Sequence, residues 1–432
     1  MLFKEFKNGS LKILPASCDE NKLSNNCSND LIDVHIKIDL FQFIISFQFS
    51  IKNIRFRGDD IAINNFKNNM CLRQKTNCCS SLNNYCDLSK TLKVNYENIN
   101  KKSMFLLKSQ TTSEIPRLLF INVSFLNFYG VKDEVGWRSL IISENALKTI
   151  HIENFTIVNF FFSHGLLYDI NSGSFNNIIM VNIYIGNYCT IFDQIQNDNN
   201  SSYLTNGLFH FQNSSFLILN ITNLTISSIN ILPLNPTQYA ILFVSVSHSN
   251  LIINGLSFEN NIDLSFCNFD SSLTIIIKDF TFRNLSNLKE TSFFTLLNGS
   301  SAVLSNGLFS LISFSKSFFF YCQKDAELVL SAIQIEFFSG IFGSCSESTI
   351  SIYDTKFENL KGNYFMIASK CILTMINFNS SSSLFSQAAF FISYVSNFIY
   401  TQSLCMNIDT PQFFLFQAKY LDVRAKIYFY SI

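Results

Sequence analysis

Apolar residues along this chain alternate with polar ones instead of recurring at helical spacing. Four segments align beneath one another without gaps: FSIKNIRFRG (Phe49 to Gly58), LLFINVSFLN (Leu118 to Asn127), IHIENFTIVN (Ile150 to Asn159) and IIMVNIYIGN (Ile178 to Asn187). So do LNITNLTISS (Leu219 to Ser228), LIINGLSFEN (Leu251 to Asn260), IIIKDFTFRN (Ile275 to Asn284) and ISIYDTKFEN (Ile350 to Asn359). The shared rule is apolar, any, apolar, any, then Asn, Asp or Gly, any, usually a polar residue, then Phe or Ile, any, and a closing Asn, Ser or Gly.

Period-two alternation sends the odd positions of the first half to one face of a strand. The phase then slips by one at the Phe or Ile. An extended segment slips in this way where it bends between two short strands that feed the same interior. The closing Asn or Gly readily takes positive φ, as a tight turn requires. Gly numbers only 14 in 432 residues, so Asn carries that task.

From Asn127 onward the closing positions recur every ~24 to ~41 residues, and the span from Asn284 to Asn359 is about three intervals of ~25, a period typical of repeat architectures. A β-sandwich supplies many short strands but does not repeat one rule along its length. Period two and the β-branched and aromatic content disfavour helices. The expected fold is all-β, a right-handed single-stranded parallel β-helix over 31–432, with a polar N-terminal segment at 1–30. A cysteine-rich loop insertion is expected at 64–114, where the rhythm breaks. The terminal YLDVRAKIYFYSI keeps alternation without a polar cap, which leaves an open strand edge and suggests that more protein follows.

This rule resembles the parallel β-helix repeat of the pectin-lyase-like superfamily. Its Asn- and Phe-rich, cysteine-sprinkled form is similar to large ciliate surface proteins of unknown function. The resemblance implies a coil-stacked fold and, through flanking segments, possible membrane attachment; it does not imply an activity, because that fold hosts lyases, hydrolases, adhesins and spacers alike.

Composition narrows the partners. Charged residues are 14% and hydrophobic ones 48%, so solubility rests on Asn and Ser; Phe reaches 48 copies against a single Trp. The formal net charge is +0 and no run of Lys or Arg stands out, so nucleic acid is not an expected partner. MLFKEFKNGSLKILPASCDE has no apolar core behind a basic head, and does not read as a signal peptide. LFSQAAFFISYVSNFIY is short and polar for a bilayer span.

One short stretch, RGDDIAI (Arg57 to Ile63), invites a chemical reading. It resembles the Gly-Asp-Asp motif of polygalacturonases through Gly58, Asp59, Asp60, Ala62 and Ile63. Inverting glycosidases need a proton donor and a second carboxylate that activates water. The flanking coils here read HIKIDLF and SSLNNYC, and supply neither the Asn-Thr-Asp nor the Gly-His-Gly of that family. Gly58 occupies the closing position of its repeat, so Asp59 and Asp60 are expected in a polar loop, where Asp is favoured for local hydrogen bonding. An Arg-Gly-Asp adhesion tripeptide needs a protruding loop that the sequence does not reveal. No His pair sits at metal-ligand spacing, and Asp279 and Asp354 read as substitutes for Asn at a bend. No catalytic, cofactor-binding or metal residue is assigned, and no cofactor is expected.

Twelve cysteines fall into two groups. CLRQKTNCCSSLNNYC has the compact spacing of a disulfide-stapled loop, which makes Cys71, Cys78, Cys79 and Cys86 candidate disulfides. Cys322, Cys345 and Cys371 recur near the coil period and are expected to stack on one face, either as thiols or bridged. Disulfides point outside the cytosol. Sequons at Asn122, Asn154 and Asn213 are candidate glycosylation sites, although so much Asn and Ser generates sequons by composition alone. The functional expectation is a non-enzymatic extracellular or cell-surface scaffold with protein or glycan ligands; the alternative is a carbohydrate-active enzyme of the same superfamily.

Overall fold

The computed structural model describes residues 3–6, 32–35, 42–45, 48–58, 103–108, 117–128, 139–144, 149–162, 165–168, 172–185, 206–211, 217–231, 240–245, 249–262, 264–270, 273–287, 292–393, 397–401, 404–412, 414–417 and 427–429. All regular structure among them is β-strand. The chain divides into two compact units, one of Met1–His210 with Ile229–Gln238 and one of Phe211–Ser228 with Tyr239–Ile432.

In the first unit the strands Gln48–Arg57, Arg117–Phe128, Thr149–Phe162 and Ser172–Ile185 pair in succession, always in parallel. A second row, Gln42–Ile45, Ser103–Lys108, Ser139–Glu144 and Gly165–Tyr168, does the same. Each strand therefore pairs with the element two places on, which requires the chain to cross between rows once per repeat. The second unit stacks in parallel from Leu217–Ile231 through Ser249–Ile262, Thr274–Asn287, Ser301–Gln323 and Glu327–Ser346 to Thr349–Glu358 and Ile372–Ser393, and there the long strands Ser301–Gln323 and Glu327–Ser346 carry both rows and pair directly with one another.

Left-handed backbone punctuates the repeat at two places. The closing residues Asn127, Asn159 and Asn182 have φ of 64°, 56° and 54°. Five residues earlier Asn122, Asn154 and Asn177 have φ of 54°, 50° and 54°. In the second unit the same bend is made by Asn223, Gly255, Asp279, Asn306, Ala332, Asp354 and Asn377. A residue in this conformation reverses which side of the strand faces inward, and that reversal is the phase slip seen in the sequence. The position just after the bend, left open in the sequence rule, points to the core: Ile54, Val123 and Phe155 in one unit, and Leu256, Phe280 and Thr355 in the other, are at most 3% exposed. Thr355 satisfies its buried hydroxyl by donating to the Tyr353 carbonyl at 2.8 Å.

One expected register is corrected. Val181 pairs with Val158 and Ile183 with Phe160, so Asn182 stands opposite the closing Asn159 and Asn177 opposite the bend residue Asn154. The repeat in that coil is GSFNNIIMVN, Gly173 to Asn182, not the segment ending at Asn187, which lies outside the described residues.

Phenylalanine fills the interior. In-register rings stack at the spacing of the strands that carry them: Phe56 on Phe125 at 4.8 Å, and in the second unit Phe282 on Phe309 at 5.2 Å and Phe294 on Phe320 at 4.9 Å. Parallel strands lie about 4.8 Å apart, so a column of identical aromatics stacks face to face with no adjustment of the backbone.

Candidate functional site

The polar groups nearest to a site are those at the bends, and hydrogen bonds between successive coils occupy them. Asn122 donates from Nδ2 to Asn53 Oδ1 at 2.9 Å, and Asn177 to Asn154 at 2.9 Å. At the closing corner Asn159 donates to Asn127 at 2.8 Å and Asn182 to Asn159 at 3.1 Å. In the second unit Asn284 donates to Asn260 at 2.7 Å. Each amide thus gives its N–H to the coil before it and offers its oxygen to the coil after it.

That polarity explains the two carboxylates. Asp279 accepts from Asn306 at 3.4 Å and Asp354 from Asn377 at 2.7 Å. A carboxylate has no N–H to pass to the preceding coil. The residue in register before Asp279 is Gly255, and the one before Asp354 is Ala332, neither of which offers a side-chain acceptor. Asp therefore sits only where a ladder starts. Sequence reading placed both at a bend in a ladder, and they are there.

In the second unit a shallow groove of about 440 Å³ opens where the ladder is interrupted, lined among others by Asn306, Gly307, Ala332, Gln334, Asp354 and Lys356. Phe280 also lines it, and its ring occupies the space beside Gly307, where a Cβ would stand 2.0 Å from Cζ. Lys356 pairs with Glu358, and the hydrogen bond to that carboxylate holds its ammonium above the ordinary value. Asp354 is engaged by Asn377. Both charged groups of the groove are thus tied to neighbours in the protein.

Gly58 closes its repeat opposite Asn127 as expected, but without positive φ. Glycine is needed there for another reason: a Cβ on Gly58 would stand 2.1 Å from the Asn127 carbonyl oxygen. Its N–H donates to the Leu126 carbonyl at 2.9 Å. Asp59 and Asp60 lie outside the described residues, as do Cys71, Cys78, Cys79, Cys86 and Asn213. Asn122 and Asn154, the other two sequon asparagines, are members of the bend ladder.

The dispersed cysteines gather more than sequence spacing implied. Cys322 and Cys345 are register partners on adjacent strands. Cys345 is followed in that column by Ala368 instead of Cys371, which corrects the expected three-member stack. A third left-handed corner intervenes, formed by Asn298, Lys324, Glu347 and Lys370, and Cys371 comes just after it. Lys370 pairs with Glu347 at 3.0 Å, but the residue types at this corner differ from coil to coil and are not turn formers apart from Asn298, so no sequence signal marks the turn. Ser348 Oγ lies 3.9 Å from Cys371 Sγ and donates to the Cys322 carbonyl at 3.2 Å, while the Cys371 thiol donates to the Ser369 carbonyl at 3.1 Å. Cys267, Cys322, Cys345 and Cys371 are all thiols and all at most 2% exposed. Burial pushes the Cys267 and Cys322 thiols up.

Among the described residues no three His, Cys, Asp or Glu side chains are arranged to hold a metal ion. No helix among them is long and apolar enough to cross a membrane, and LFSQAAFFISYVSNFIY contributes instead to the strands Ile372–Ser393 and Asn397–Thr401. No family model, characterised protein or solved structure matches the chain.

Proposed function

We propose that this protein is a non-enzymatic scaffold built as a right-handed parallel β-helix of the pectin-lyase-like kind, displayed outside the cell or at its surface. The observation that carries the reading is the consumption of polar side chains by coil-to-coil bonding. Asp279 and Asp354, the carboxylates at the bend positions, serve as ladder acceptors for Asn306 and Asn377. A catalytic acid or base needs a carboxylate free to meet a substrate proton. Parallel pairing of strands one repeat apart in the chain fits a coil, and right-handed crossovers are the general rule for parallel strands. Extracellular display follows from reading Cys71, Cys78, Cys79 and Cys86 as disulfides and Asn122, Asn154 and Asn213 as glycan acceptors, with membrane attachment through flanking segments. The partners on this reading are proteins or glycans, not nucleic acid.

Non-reducing peptide mapping of the protein from its native source tests the compartment. Bridges among Cys71, Cys78, Cys79 and Cys86, with glycan on Asn122 or Asn154, are the expected result; four alkylatable thiols and bare asparagines would end the surface reading. The rival, a polysaccharide hydrolase or lyase, is favoured only by the groove that places Asp354 beside Lys356. Reducing-sugar and unsaturated-product assays on pectin-type polymers, with and without calcium, are expected to stay at background. Activity lost on Asp354→Asn, or on Asp59→Ala with Asp60→Ala, would replace the scaffold by an enzyme.

A further inference from the structure

We propose that the second unit pairs with a second copy of this chain through a nearly uncharged ridge at its closing corner, with the two stacks of strands running antiparallel. Four of the eight large apolar side chains that stand exposed among the described residues lie there: Ile262, Leu311, Phe337 and Leu384, between 46% and 59% exposed. They occupy two neighbouring columns. The closing column runs Asn260, Asn284, Leu311, Phe337, Asn359 and Ser382. The column two residues on runs Ile262, Ser286, Ser313, Ser339, Lys361 and Leu384. Lys361 is the one charged residue in the two columns. Depletion of charge around apolar side chains marks the core of a protein interface.

Two of the four apolar residues are also strained. Leu311 and Phe337 hold φ of 56° and 54° at a corner where the coils on either side place Asn284 and Asn359. Asn takes left-handed backbone far more readily than Leu or Phe does. Neither residue is compensated by burial within its own chain.

The order of the apolar positions selects the partner. Counting coils from Ile262, they fall on the first, third, fourth and sixth, an order that reads the same in both directions. A two-fold interface requires such self-complementarity, because a residue that meets another across it is met by that residue in turn. With the two-fold axis crossing the ridge between Leu311 and Phe337, Leu311 meets the partner's Phe337 and Ile262 meets the partner's Leu384. Asn284 meets the partner's Asn359. In the flanking column of Glu259, Arg283, Ser310, Glu336, Glu358 and Ser381, the same axis sets Arg283 against the partner's Glu358, two opposite charges. A parallel pairing would instead lay Ile262 on Glu259 and Leu384 on Ser381.

Six coils at a strand spacing of about 4.8 Å make a ridge about 24 Å long. That is short against the ~800 Å² per partner of a standard interface, so the dimer is a reversible one. The formal net charge of +0 leaves no long-range repulsion between copies. The pairing does not depend on where the chain is displayed or on what else it binds.

Sedimentation velocity of the full chain over a range of concentrations is expected to show a monomer–dimer equilibrium without larger species. Leu311→Asn and Phe337→Asn restore the residue type that the corner prefers. Both are expected to melt at or above the parent temperature, and each to weaken the dimer at least about tenfold. Arg283→Glu weakens it too, and Glu358→Arg in the same chain recovers it. Benzoylphenylalanine in place of Ile262 is expected, on illumination, to join two chains through the tryptic peptide Cys371–Lys419, which holds Leu384. Within one chain Leu384 lies five strand spacings away, about 24 Å, beyond the reach of that probe. A chain that stays monomeric, a dimer unmoved by both asparagine variants, open-ended association, or a cross-link into the partner's own Ile262 peptide would each overturn the proposal.

Discussion

Asn377 donates its amide to Asp354 at 2.7 Å, and the coil before Asp354 presents Ala332 at the same bend. The pair fixes a direction along the stack, because amides pass a hydrogen bond backward and a carboxylate is tolerated only at the start. Asn377→Asp breaks the rule by setting two carboxylates face to face and removing the donor. A lost hydrogen bond plus repulsion between exposed charges predicts about 1–2 kcal/mol of destabilisation at pH 7. Asp354→Asn in the same chain restores donor and acceptor and recovers most of it. Facing carboxylates hold each other's protons in the folded state, so the penalty is present at neutral pH and shrinks as pH falls through the carboxylate range. Urea midpoints of the two variants at pH 7 and pH 4 check both the size and the sign.

Ala332 interrupts the ladder and adopts a φ of 53° that costs an alanine roughly 1 kcal/mol more than it costs an asparagine. Ala332→Asn alone relieves that strain and lets the new amide donate to Asn306, but it aims its oxygen at the Asp354 carboxylate. With Asp354→Asn added, the ladder runs unbroken from Asp279 to Asn377. The double variant is therefore expected to exceed the sum of the singles by at least about 0.5 kcal/mol in a double-mutant cycle. Additive values would mean that the side-chain ladder contributes nothing beyond backbone conformation.

The repeat was legible in the sequence because two physical demands coincide in it, an inward apolar residue every second position and an Asn where φ turns positive. Its register was harder. Each repeat is two halves of the form apolar, any, apolar, any, turn residue, so a shift by one half still satisfies the rule; that is how Asn187 came to be read in place of Asn182. The span from Asn284 to Asn359 held two further coils, as its length implied, but their closing residues are Leu311 and Phe337, at φ of 56° and 54°. No propensity argument finds a left-handed corner in a leucine or a phenylalanine. The third corner was invisible for the same reason, since Lys324, Glu347 and Lys370 follow Asn298 in its left-handed conformation without being turn-forming residue types. With that corner unseen, Cys371 was assigned to the column of Cys322 and Cys345 although it belongs beside Ser348.

Two glycines separate crowding from backbone freedom. A methyl group on Gly58 would meet the Asn127 carbonyl oxygen at 2.1 Å, and a backbone atom cannot swing aside. One on Gly299 would meet nothing within 4 Å, although that residue has a φ of +78°. Gly299→Ala is expected to cost about 1 kcal/mol, the price of a left-handed alanine. Gly58→Ala should cost about 2 kcal/mol or more, because the coil must shift to admit it. Equal denaturation midpoints would show that the contact at Gly58 relaxes freely.

The hydrogen bond from Cys345, with help from Ser348, lowers the Cys371 thiol from an ordinary value of 9.0 to about 7. For a group whose folded value lies below its unfolded one, the stabilisation grows as pH rises from the lower value to the higher, and is lost as pH falls through the lower. Alkylation of Cys371 in the folded protein, followed by mass spectrometry, should therefore reach half its limiting rate near pH 7. Cys345→Ala removes the leading cause and leaves burial, which opposes ionisation, so its midpoint should move up to or beyond 9.0. Cys345→Ser keeps a donor and should stay close to the parent, which separates the hydrogen bond from packing. The stability difference between parent and Cys345→Ala should likewise widen from pH 7 to pH 9, and a flat difference would show that the two thiols do not share a proton.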